Sequence, residues 1–545
     1  MQSLDWIVLL VFSFVLMAIV VWVLKRKDDT SSDYFLSGRS ETWLAIGAAI
    51  FAANIGSEHL VGLAGSGAES GMAMAHWEMH GWMILILGWV FVPFYARSRV
   101  FTMPEFLSLR YNRGASSFLS IITLIGYVLT KVSVTAYTGG IFLKTVFGIE
   151  SIGNIDFFWI AAIGLVLVTG LFTVLGGMRG IMMISVIQTP ILLGGALTIL
   201  ILGLMKLGGG GLFAGWHEMV KYTDHVNPIY MHLTRPVTDP KFPGVGVFVG
   251  AAIIGFWYWC TDQHIVQRAL TAKNLTQARR GSIFAGYLKI SPVFLFLIPG
   301  MIAAVLRAKG LVMFDGNDKA YGSLVTYLLP MGIKGLVVVG FVAALMTSLA
   351  AHFNSSATLF TIDFYKKYKP DTSEHKLVWI GRLATISVVV LGLVWIPMMK
   401  GLGAVLYEYL QNVQSLIAPA IAAVFLLGVF NKWITPKAGQ WGLIIGFSLG
   451  MFRLLLLVFK PAFLQPLIDI NWLHFEIFLF LFTMALMFGI SFFTPKPDQA
   501  SIQGITFFSR TPEQIAESKA SWSKWDVVNS VAVLGICIAF YIYFW

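Results

Sequence analysis

Charged residues are scarce in this 545-residue sequence, where they make up 12% of the chain against 57% for hydrophobic residues. A soluble domain carries roughly 25% charged residues, so the scarcity excludes an ordinary soluble enzyme or binding domain. The mean hydropathy is +0.78, and apolar runs of about 20 residues, each long enough to cross a bilayer, recur along the chain. The composition therefore predicts an all-α polytopic membrane protein.

Cysteine is also nearly absent. Cys260 and Cys537 both lie inside hydrophobic runs, which argues against a disulfide framework or a cysteine metal site. The glycine patterns of nucleotide-binding loops and the paired spacings of zinc sites are missing from the sequence. The net charge of +11 comes from Lys and Arg clustered between apolar runs, which indicates membrane topology and no nucleic-acid partner.

The N-terminal segment lacks the features of a cleavable signal peptide. The acidic Asp5 precedes a long apolar core, and the positive charge follows that core at 25–27, the reverse of a signal peptide. We therefore predict a permanent spanning helix whose N-terminus lies outside.

Fourteen apolar windows predict about 14 transmembrane helices. They lie near 5–24, 43–66, 74–95, 117–143, 157–176, 181–205, 246–266, 278–305, 325–360, 378–398, 402–429, 438–459, 471–493 and 525–545. With the N-terminus outside, the inner side carries about 24 Lys and Arg residues and the outer side about 11, as the positive-inside rule requires. We expect a multi-pass protein of the plasma membrane with both termini outside, and the short loops favour a bacterial inner membrane.

Residues 49–81 carry an unusual number of polar groups for a predicted membrane segment. Ionisable groups at bilayer depth are costly and usually face a cavity, a partner or a substrate, and glycine-loosened backbone is tolerated there only where it lines a cavity. We predict a broken helix and its neighbour that together form a polar binding site. The alternative is a pair of ordinary helices whose glycines allow close packing. The polar residues are Asn54, Glu58, His59, His76, Glu78 and His80.

A second polar stretch, 246–266, follows five spans later and combines Gly250 and Gly255 with Tyr258 and other polar residues. Many secondary transporters contain two inverted repeats, each opening with a discontinuous helix, and an odd number of spans per repeat inverts them. The predicted segments are an extra helix with its inner loop at 1–42, a first five-helix repeat at 43–205, an outer loop at 206–245, a second five-helix repeat at 246–429 and three C-terminal helices at 430–545.

Six long motifs occur in order along nearly the whole chain: FAANIGSEHLVGLAGSG, WVFVPFYARSRVFTMPEFL, FWYWCTDQHIVQRALTAKN, GYLKISPVFLFLIPGM, FNSSATLFTIDFYKKY and APAIAAVFLLGVF. They closely resemble the sodium/glucose cotransporters of the solute:sodium symporter family. The resemblance implies a LeuT-type fold with a five-plus-five inverted repeat, one helix before it and three after. It also implies a Na⁺-coupled symporter that imports a hexose, glucose or galactose, by alternating access, and no enzymatic activity.

The resemblance also implies a sugar site. A hexose presents hydroxyls that donate and accept together with apolar C–H faces, so it suits amides, bidentate acceptors and an aromatic ring. Tyr258 is expected to stack on the sugar as the inner gate. Glu78 and Lys289 have a structural ion pair as their alternative role, and His76 and His80 match no family role. The implied substrate-binding residues are Asn54, His59, Glu78, Tyr258, Trp259, Lys289 and Gln411, and the implied outer gate is formed by Leu63, Trp77 and Tyr407.

A Na⁺ site is implied in the same way. It pairs the carbonyls of Ala52, Ile55 and Ala344 with the hydroxyls of Thr347 and Ser348. From composition alone, the two adjacent hydroxyls are expected to bond back to the preceding helical turn. In the implied site, Na⁺ would bridge two elements that move and favour the outward-open state, and sugar would in turn tighten Na⁺ binding.

Two departures from the family pattern bear on stoichiometry and substrate. Ser185, in ISVIQ, stands where many sugar-transporting members have Asp, which argues for one Na⁺ per sugar. Gly255 and His59 favour the animal glucose carriers, whereas the run SEH…WE is similar to the inositol carriers, so myo-inositol stays an alternative. A transporter-like sugar sensor is the alternative from another class. We find no nucleophile–base arrangement that would support a membrane enzyme, and we expect a functional monomer.

Overall fold

The computed structural model describes residues 2–24, 30–56, 58–226, 228–399 and 406–545, and most of this chain is helical. One two-stranded antiparallel hairpin pairs Ser151–Ile152 with Ile155–Asp156. The helices in the regions of the predicted spans are Ser3–Leu24, Trp43–Asn54, Glu58–Ser98, Arg113–Phe147, Phe157–Leu207, Gly244–Cys260, Gln263–Ala269, Leu275–Ala308, Ile333–Lys366, Glu374–Met399, Leu406–Ser415, Ala418–Phe430, Pro436–Phe459, Trp472–Phe492 and Lys524–Phe544.

Among the described residues, nine helices are long and apolar enough to cross a membrane. Two of them, Glu58–Ser98 and Phe157–Leu207, have 41 and 51 residues, about twice the ~20 that one crossing needs. The first is interrupted at Gly71 (φ +69°) and the second at Gly177 (φ +52°), in the left-handed region that glycine enters without a steric penalty. With the bent and shorter apolar helices, the described residues agree with the predicted architecture of about fourteen spans.

Short helices connect the spans. One of them runs from Met103 to Arg110, where the Thr102 side chain accepts a hydrogen bond from the Glu105 amide and Pro lies in the first turn, a favourable helix start. The α-helical connections are Ser31–Leu36, Met103–Arg110, Leu212–Val226, Ala320–Leu328, Gln465–Ile468 and Pro512–Ala520, and the 3₁₀ turns are Ser37–Arg39, Gly71–Met74, Asn317–Lys319, Ala462–Leu464 and Phe507–Ser509.

The first broken helix comprises residues 43–70. Its inner half ends at Asn54, and Ile55 is extended (φ −80°, ψ 104°). The chain then resumes as a π-helical turn at Glu58–Leu63, a geometry that is rare and concentrates at functional sites. The polar stretch identified in the sequence therefore contains a real interruption in the middle of a span.

The second broken helix comprises Gly244–Cys260 and Gln263–Ala269, which are bent by 52° relative to each other. Thr261 and Asp262 form the link, and both are buried. The bend directs the side chains just before and just after it, including Tyr258, toward the centre of the protein.

Glycines bring the outer half of the first broken helix close to the helix that follows the second broken helix. A Cβ on Gly67 would overlap the Leu297 carbonyl, and a Cβ on Gly300 would overlap the Ala64 carbonyl. Such backbone contact is typical of small residues between membrane helices. The close-packing interpretation of these glycines is therefore correct for the outer half, while the interruption itself lies at Ile55 and Gly56.

The segment 206–245, expected to be an outer loop, contains the helix Leu212–Val226. Its second part covers the outer end of the first broken helix, because the Tyr230 hydroxyl donates to the carbonyls of Gly67 at 2.5 Å and Ala68 at 2.8 Å. The segment thus lies next to the predicted outer gate.

Candidate functional site

A chamber lies where the two broken helices meet. With its mouth, and with the open solvent there included, it holds about 340 Å³ of space free of protein atoms. Amides, ionisable groups and aromatic rings share its wall. The lining residues are Asn54, Glu58, His59, Trp77, His80, Ile254, Gly255, Tyr258, Trp259, Lys289, Gln411 and Gln414.

An ion pair lies at one side of this chamber. Lys289 Nζ is 2.5 Å from Glu78 Oε2 and 3.2 Å from Asn54 Oδ1, and His59 Nε2 is 3.4 Å from the same Glu78 oxygen. Glu78 is fully buried and contacts two residues of the chamber wall, Lys289 and His59. Because the pair also contacts Asn54 and His59, it is more than an isolated structural ion pair.

Tyr258, the predicted inner gate, lines the chamber. Its hydroxyl accepts a hydrogen bond of 3.1 Å from Asn54 Nδ2, and Lys131 Nζ lies 4.7 Å from the centre of its ring. A second cavity begins on the far side and is lined by Lys131, Asp262 and Gln414 among others. Since Gln414 lines both cavities, Tyr258 and Lys131 lie in the wall that separates them.

The remaining predicted contacts lie around the same chamber. Trp259 packs against Tyr258 with ring centres 5.0 Å apart. Gln411 Oε1 has no hydrogen-bond partner among the described residues, which leaves it free to accept from a solute.

The predicted outer gate is described in two of its three residues. Leu63 and Trp77 are both buried, and Trp77 stacks on Trp472 with ring centres 5.9 Å apart. Tyr407 belongs to the helix Leu406–Ser415, but its side chain lies outside the described residues.

The interruption of the first broken helix faces the helix that carries Ser348. The last carbonyls of a helix lack helical partners, which makes those of Ala52 and Ile55 candidate ligands for a cation. Ser348 Oγ lies 2.7 Å from the position that a Cβ on Gly56 would occupy. The carbonyl and hydroxyl oxygens named for Na⁺ therefore belong to facing segments.

Thr347 lies one residue before Ser348 and three after Ala344. Its hydroxyl is within hydrogen-bond distance of the Ala343 carbonyl, the back-bond expected from composition, and of Gln188 Oε1. Ser185, on the same helix as Gln188, bonds back to its own helix at 2.7 Å through the Ile181 carbonyl. Gln188 is a contact that the sequence analysis missed, although it belongs to the ISVIQ motif considered there.

Three chamber residues were also given no role from the sequence, namely Glu58, His80 and Gln414. The first two belong to the polar stretch 49–81, whose composition was the available signal. His76, in contrast, is held by the Tyr541 hydroxyl at 3.0 Å and the Leu233 carbonyl at 3.1 Å, a structural role.

A polar chamber at the meeting point of two broken membrane helices, with an aromatic residue in its wall, is typical of secondary transporters. Comparison with known proteins narrows this class. The sequence profile of the sodium:solute symporter family matches residues 34–446. The chain belongs to the sodium:solute symporter family, and it is a multi-pass, Na⁺-coupled solute symporter rather than a member of an enzyme class.

Two curated relatives illustrate the similarity. The rabbit (Oryctolagus cuniculus) sodium/myo-inositol cotransporter 2 is 35% identical over 539 residues, which is 93% of this chain and 79% of the relative. The mouse (Mus musculus) sodium/glucose cotransporter 4 is 33% identical over 547 residues, which is 94% of this chain and 78% of the relative.

Two solved structures show the fold. A Na⁺-coupled sialic acid symporter in a substrate-bound, outward-open state gives a TM-score of 0.77 at 20% identity, covering 91% of this chain and 99% of that one. A nucleobase-cation-symport-1 family transporter gives 0.55 at 14% identity, covering 88% and 99%. The predicted fold class, a LeuT-like five-plus-five arrangement with one helix before and three after, is confirmed.

Proposed function

We propose that this protein imports a hexose, glucose or galactose, together with Na⁺ by alternating access. The observation that carries the proposal is the chamber itself, in which Asn54, Lys289 and Tyr258 form one hydrogen-bonded group. Amide and ammonium donors beside aromatic rings complement the hydroxyls and C–H faces of a pyranose.

Five of the seven predicted substrate-binding residues have a chemical part in this proposal. Asn54 and Gln411 offer amides to the sugar hydroxyls, Lys289 donates, and Tyr258 and Trp259 present ring faces. Because Glu78 pairs with Lys289, the charges of the two side chains offset each other. The pair therefore presents no net charge to a neutral solute. A carboxylate-bearing solute, in contrast, would compete with Glu78 for the same cation.

Na⁺ is proposed to bind between the first broken helix and the helix that carries Thr347 and Ser348. The ligands are the carbonyls of Ala52, Ile55 and Ala344 with those two hydroxyls. Neutral, hard oxygens of this kind suit an alkali cation. An ion bridging the two segments would favour the state in which they are close together, and binding of the solute would tighten binding of Na⁺ by the same factor.

Myo-inositol is the second candidate, because the rabbit relative is named a sodium/myo-inositol cotransporter. Inositol carries a hydroxyl on every ring carbon and has no ring oxygen or hydroxymethyl group. In a chamber that prefers inositol, all polar groups of the wall would bind solute hydroxyls. The choice between the two solutes is therefore a matter of relative affinity.

Uptake into liposomes tests the proposal. The purified protein is given an inward Na⁺ gradient and labelled glucose, galactose or myo-inositol separately, with K⁺ replacing Na⁺ as one control. We expect Na⁺-dependent accumulation of a hexose that is lost in Gln411→Ala and kept in Gln465→Ala, a matched change at an exposed glutamine. Accumulation of inositol alone would select the second candidate. If one of the three solutes binds but none accumulates, the carrier hypothesis is replaced by that of a sugar sensor.

We further propose a bacterial inner-membrane location, both termini outside, and a monomer as the functional unit. The excess of Lys and Arg on the predicted inner loops supports the orientation. Protease-sensitive tags on the two ends of the chain in intact cells test it, and cleavage of neither tag from outside would contradict it. Transport by protein reconstituted at one copy per vesicle tests the monomer.

A further inference from the structure

His264 lies just after the bend of the second broken helix and is fully buried. Its Nε2 atom is 3.2 Å from the Tyr258 hydroxyl, and its Nδ1 atom is 3.1 Å from Asp262 Oδ1. The same Asp262 oxygen accepts a hydrogen bond from the Tyr127 hydroxyl. The His264 backbone N–H donates to the Tyr127 oxygen at 3.0 Å. The imidazole thus connects the Tyr258 hydroxyl to a carboxylate held in place by a second tyrosine.

The direction of these contacts follows from which groups can donate. We assign the His264 proton to Nδ1, the nitrogen 3.1 Å from the Asp262 carboxylate, which can only accept; this leaves the lone pair on Nε2. The Tyr258 hydroxyl therefore donates to His264 while its oxygen accepts from Asn54 Nδ2. Asn54 Oδ1 in turn accepts from Lys289. One continuous chain of donors runs from the chamber to the bend of the second broken helix.

The imidazole ring is fixed from several sides. The His352 ring centre lies 4.6 Å away and the Tyr127 ring centre 5.9 Å away. The Arg268 guanidinium donates to the His264 backbone carbonyl. With His352 from one helix, Tyr127 from another and Arg268 from its own helix around it, His264 cannot turn away from Tyr258 without repacking its surroundings.

We propose that His264 is a positioning residue of the inner gate. His264 accepts a hydrogen bond from the Tyr258 hydroxyl while Asp262 fixes the imidazole ring. It thereby holds Tyr258 in the wall between the chamber and the inner cavity. We call Tyr258, His264 and Asp262 together the gate latch. The inference rests on the proposed function, in which Tyr258 is the inner gate. A solute hydroxyl that replaces Tyr258 as the partner of Asn54 removes one of the two hydrogen bonds that hold the gate closed.

Opening of the wall can be measured without knowing the solute. Thr130→Cys places a thiol in the inner cavity beside Lys131, in a Cys260→Ser, Cys537→Ser background. A membrane-impermeant thiol reagent added on the outer side reaches this thiol only through the wall at Tyr258, so its alkylation rate reports opening. His264→Leu removes both ring nitrogens, and we expect the alkylation rate to rise about fivefold, the effect of losing one hydrogen bond. His264→Gln can still accept from Tyr258 and donate to Asp262, and it should restore the original rate.

The double variant decides whether His264 acts through the Tyr258 hydroxyl. Tyr258→Phe alone removes both hydrogen bonds of the hydroxyl, so it should raise the alkylation rate at least as much as His264→Leu does. Adding His264→Leu to Tyr258→Phe should change nothing further, because the bond to His264 is already lost. His76→Gln, at a buried histidine with structural partners, is the matched control and should leave the rate unchanged.

Three results would overturn the inference: no change in His264→Leu, no rescue by His264→Gln, or full additivity with Tyr258→Phe. Uptake of labelled hexose by the wild-type chain is run in parallel and tests the proposed function separately. A latch effect on alkylation without any uptake would contradict the proposed function and support the latch. Uptake without a latch effect would do the opposite.

Discussion

Lys289 and Glu78 lie at a depth where neither charge can remain alone. Both are buried, and their charged atoms are 2.5 Å apart. Removing one partner of such a pair leaves an uncompensated buried charge, whereas removing both leaves none. This asymmetry separates the structural part of the pair from its proposed part in solute binding.

We predict that Lys289→Met and Glu78→Gln each lower the free energy of unfolding by about 3 kcal/mol. The double variant should recover most of that loss, because no charge is left unpaired. Transport should be abolished in all three variants, because each lacks the Lys289 donor, the Glu78 carboxylate that orients it, or both. Thermal unfolding in detergent and uptake into liposomes measure the two effects. A double variant that regains full transport would show that the pair is structural only.

The Na⁺ ligands are tested by changes that remove a hydroxyl and little else. Thr347→Val and Ser348→Ala should each raise the Na⁺ concentration for half-maximal uptake by about tenfold, because losing a polar contact to a charged group costs about 1.5–3 kcal/mol. Ser185→Ala is the matched control, since Ser185 only bonds back to Ile181, and its Na⁺ dependence should be unchanged. Equal shifts in all three variants would remove the argument for a site at Thr347 and Ser348.

Glycines in the broken helices allow close contacts that an added Cβ would disturb. At Gly67 an added Cβ would overlap the Leu297 carbonyl, whereas Gly126 has no atom within 4 Å of its Cβ position. We predict that Gly67→Ala lowers the unfolding temperature, with a cost of about 1–3 kcal/mol from overpacking. Gly126→Ala should leave it unchanged or raise it, because alanine is favoured over glycine in a helix by up to about 1 kcal/mol. Scanning calorimetry of both variants checks this. An equal loss in both would mean that the contact at Leu297 is not a rigid one.

At the scale of elements, much of the fold could be predicted because the length of an apolar run shows whether it can cross a membrane. The broken helices were visible as well, since polar residues such as Asn54 and Asp262 interrupt apolar sequence. The helix Leu212–Val226 was missed because its amphipathic sequence follows a glycine run and lies outside the apolar windows.

The missed contacts of the site have a different cause. Gln188 reaches Thr347 across 159 positions of the chain, and Tyr127 reaches Asp262 across 135. Hydrophobic periodicity describes only neighbours within one helix, so pairings of this kind cannot be obtained from one sequence by pattern alone. The predicted residues that the structure groups around the chamber came from motif resemblance, and their roles remain predictions.

At the scale of the whole molecule, the first broken helix is shared by both proposed sites. Asn54 faces the chamber, and the proposed carbonyl ligands for Na⁺, Ala52 and Ile55, lie two residues before it and one residue after it. Any movement of this helix changes both sites together. Binding of Na⁺ and binding of the solute must therefore be coupled reciprocally.

The accumulation ratio at steady state tests this coupling most directly. Liposomes containing the wild-type protein receive a tenfold inward Na⁺ gradient with the membrane potential held at zero, and the internal and external concentrations of labelled hexose are measured once uptake stops. With one Na⁺ per sugar, the gradient supports about tenfold accumulation, and two would support about a hundredfold, since each factor of ten is about 1.4 kcal/mol. We predict about tenfold. A ratio of one, with the hexose entering but never exceeding its outside concentration, would contradict coupled transport.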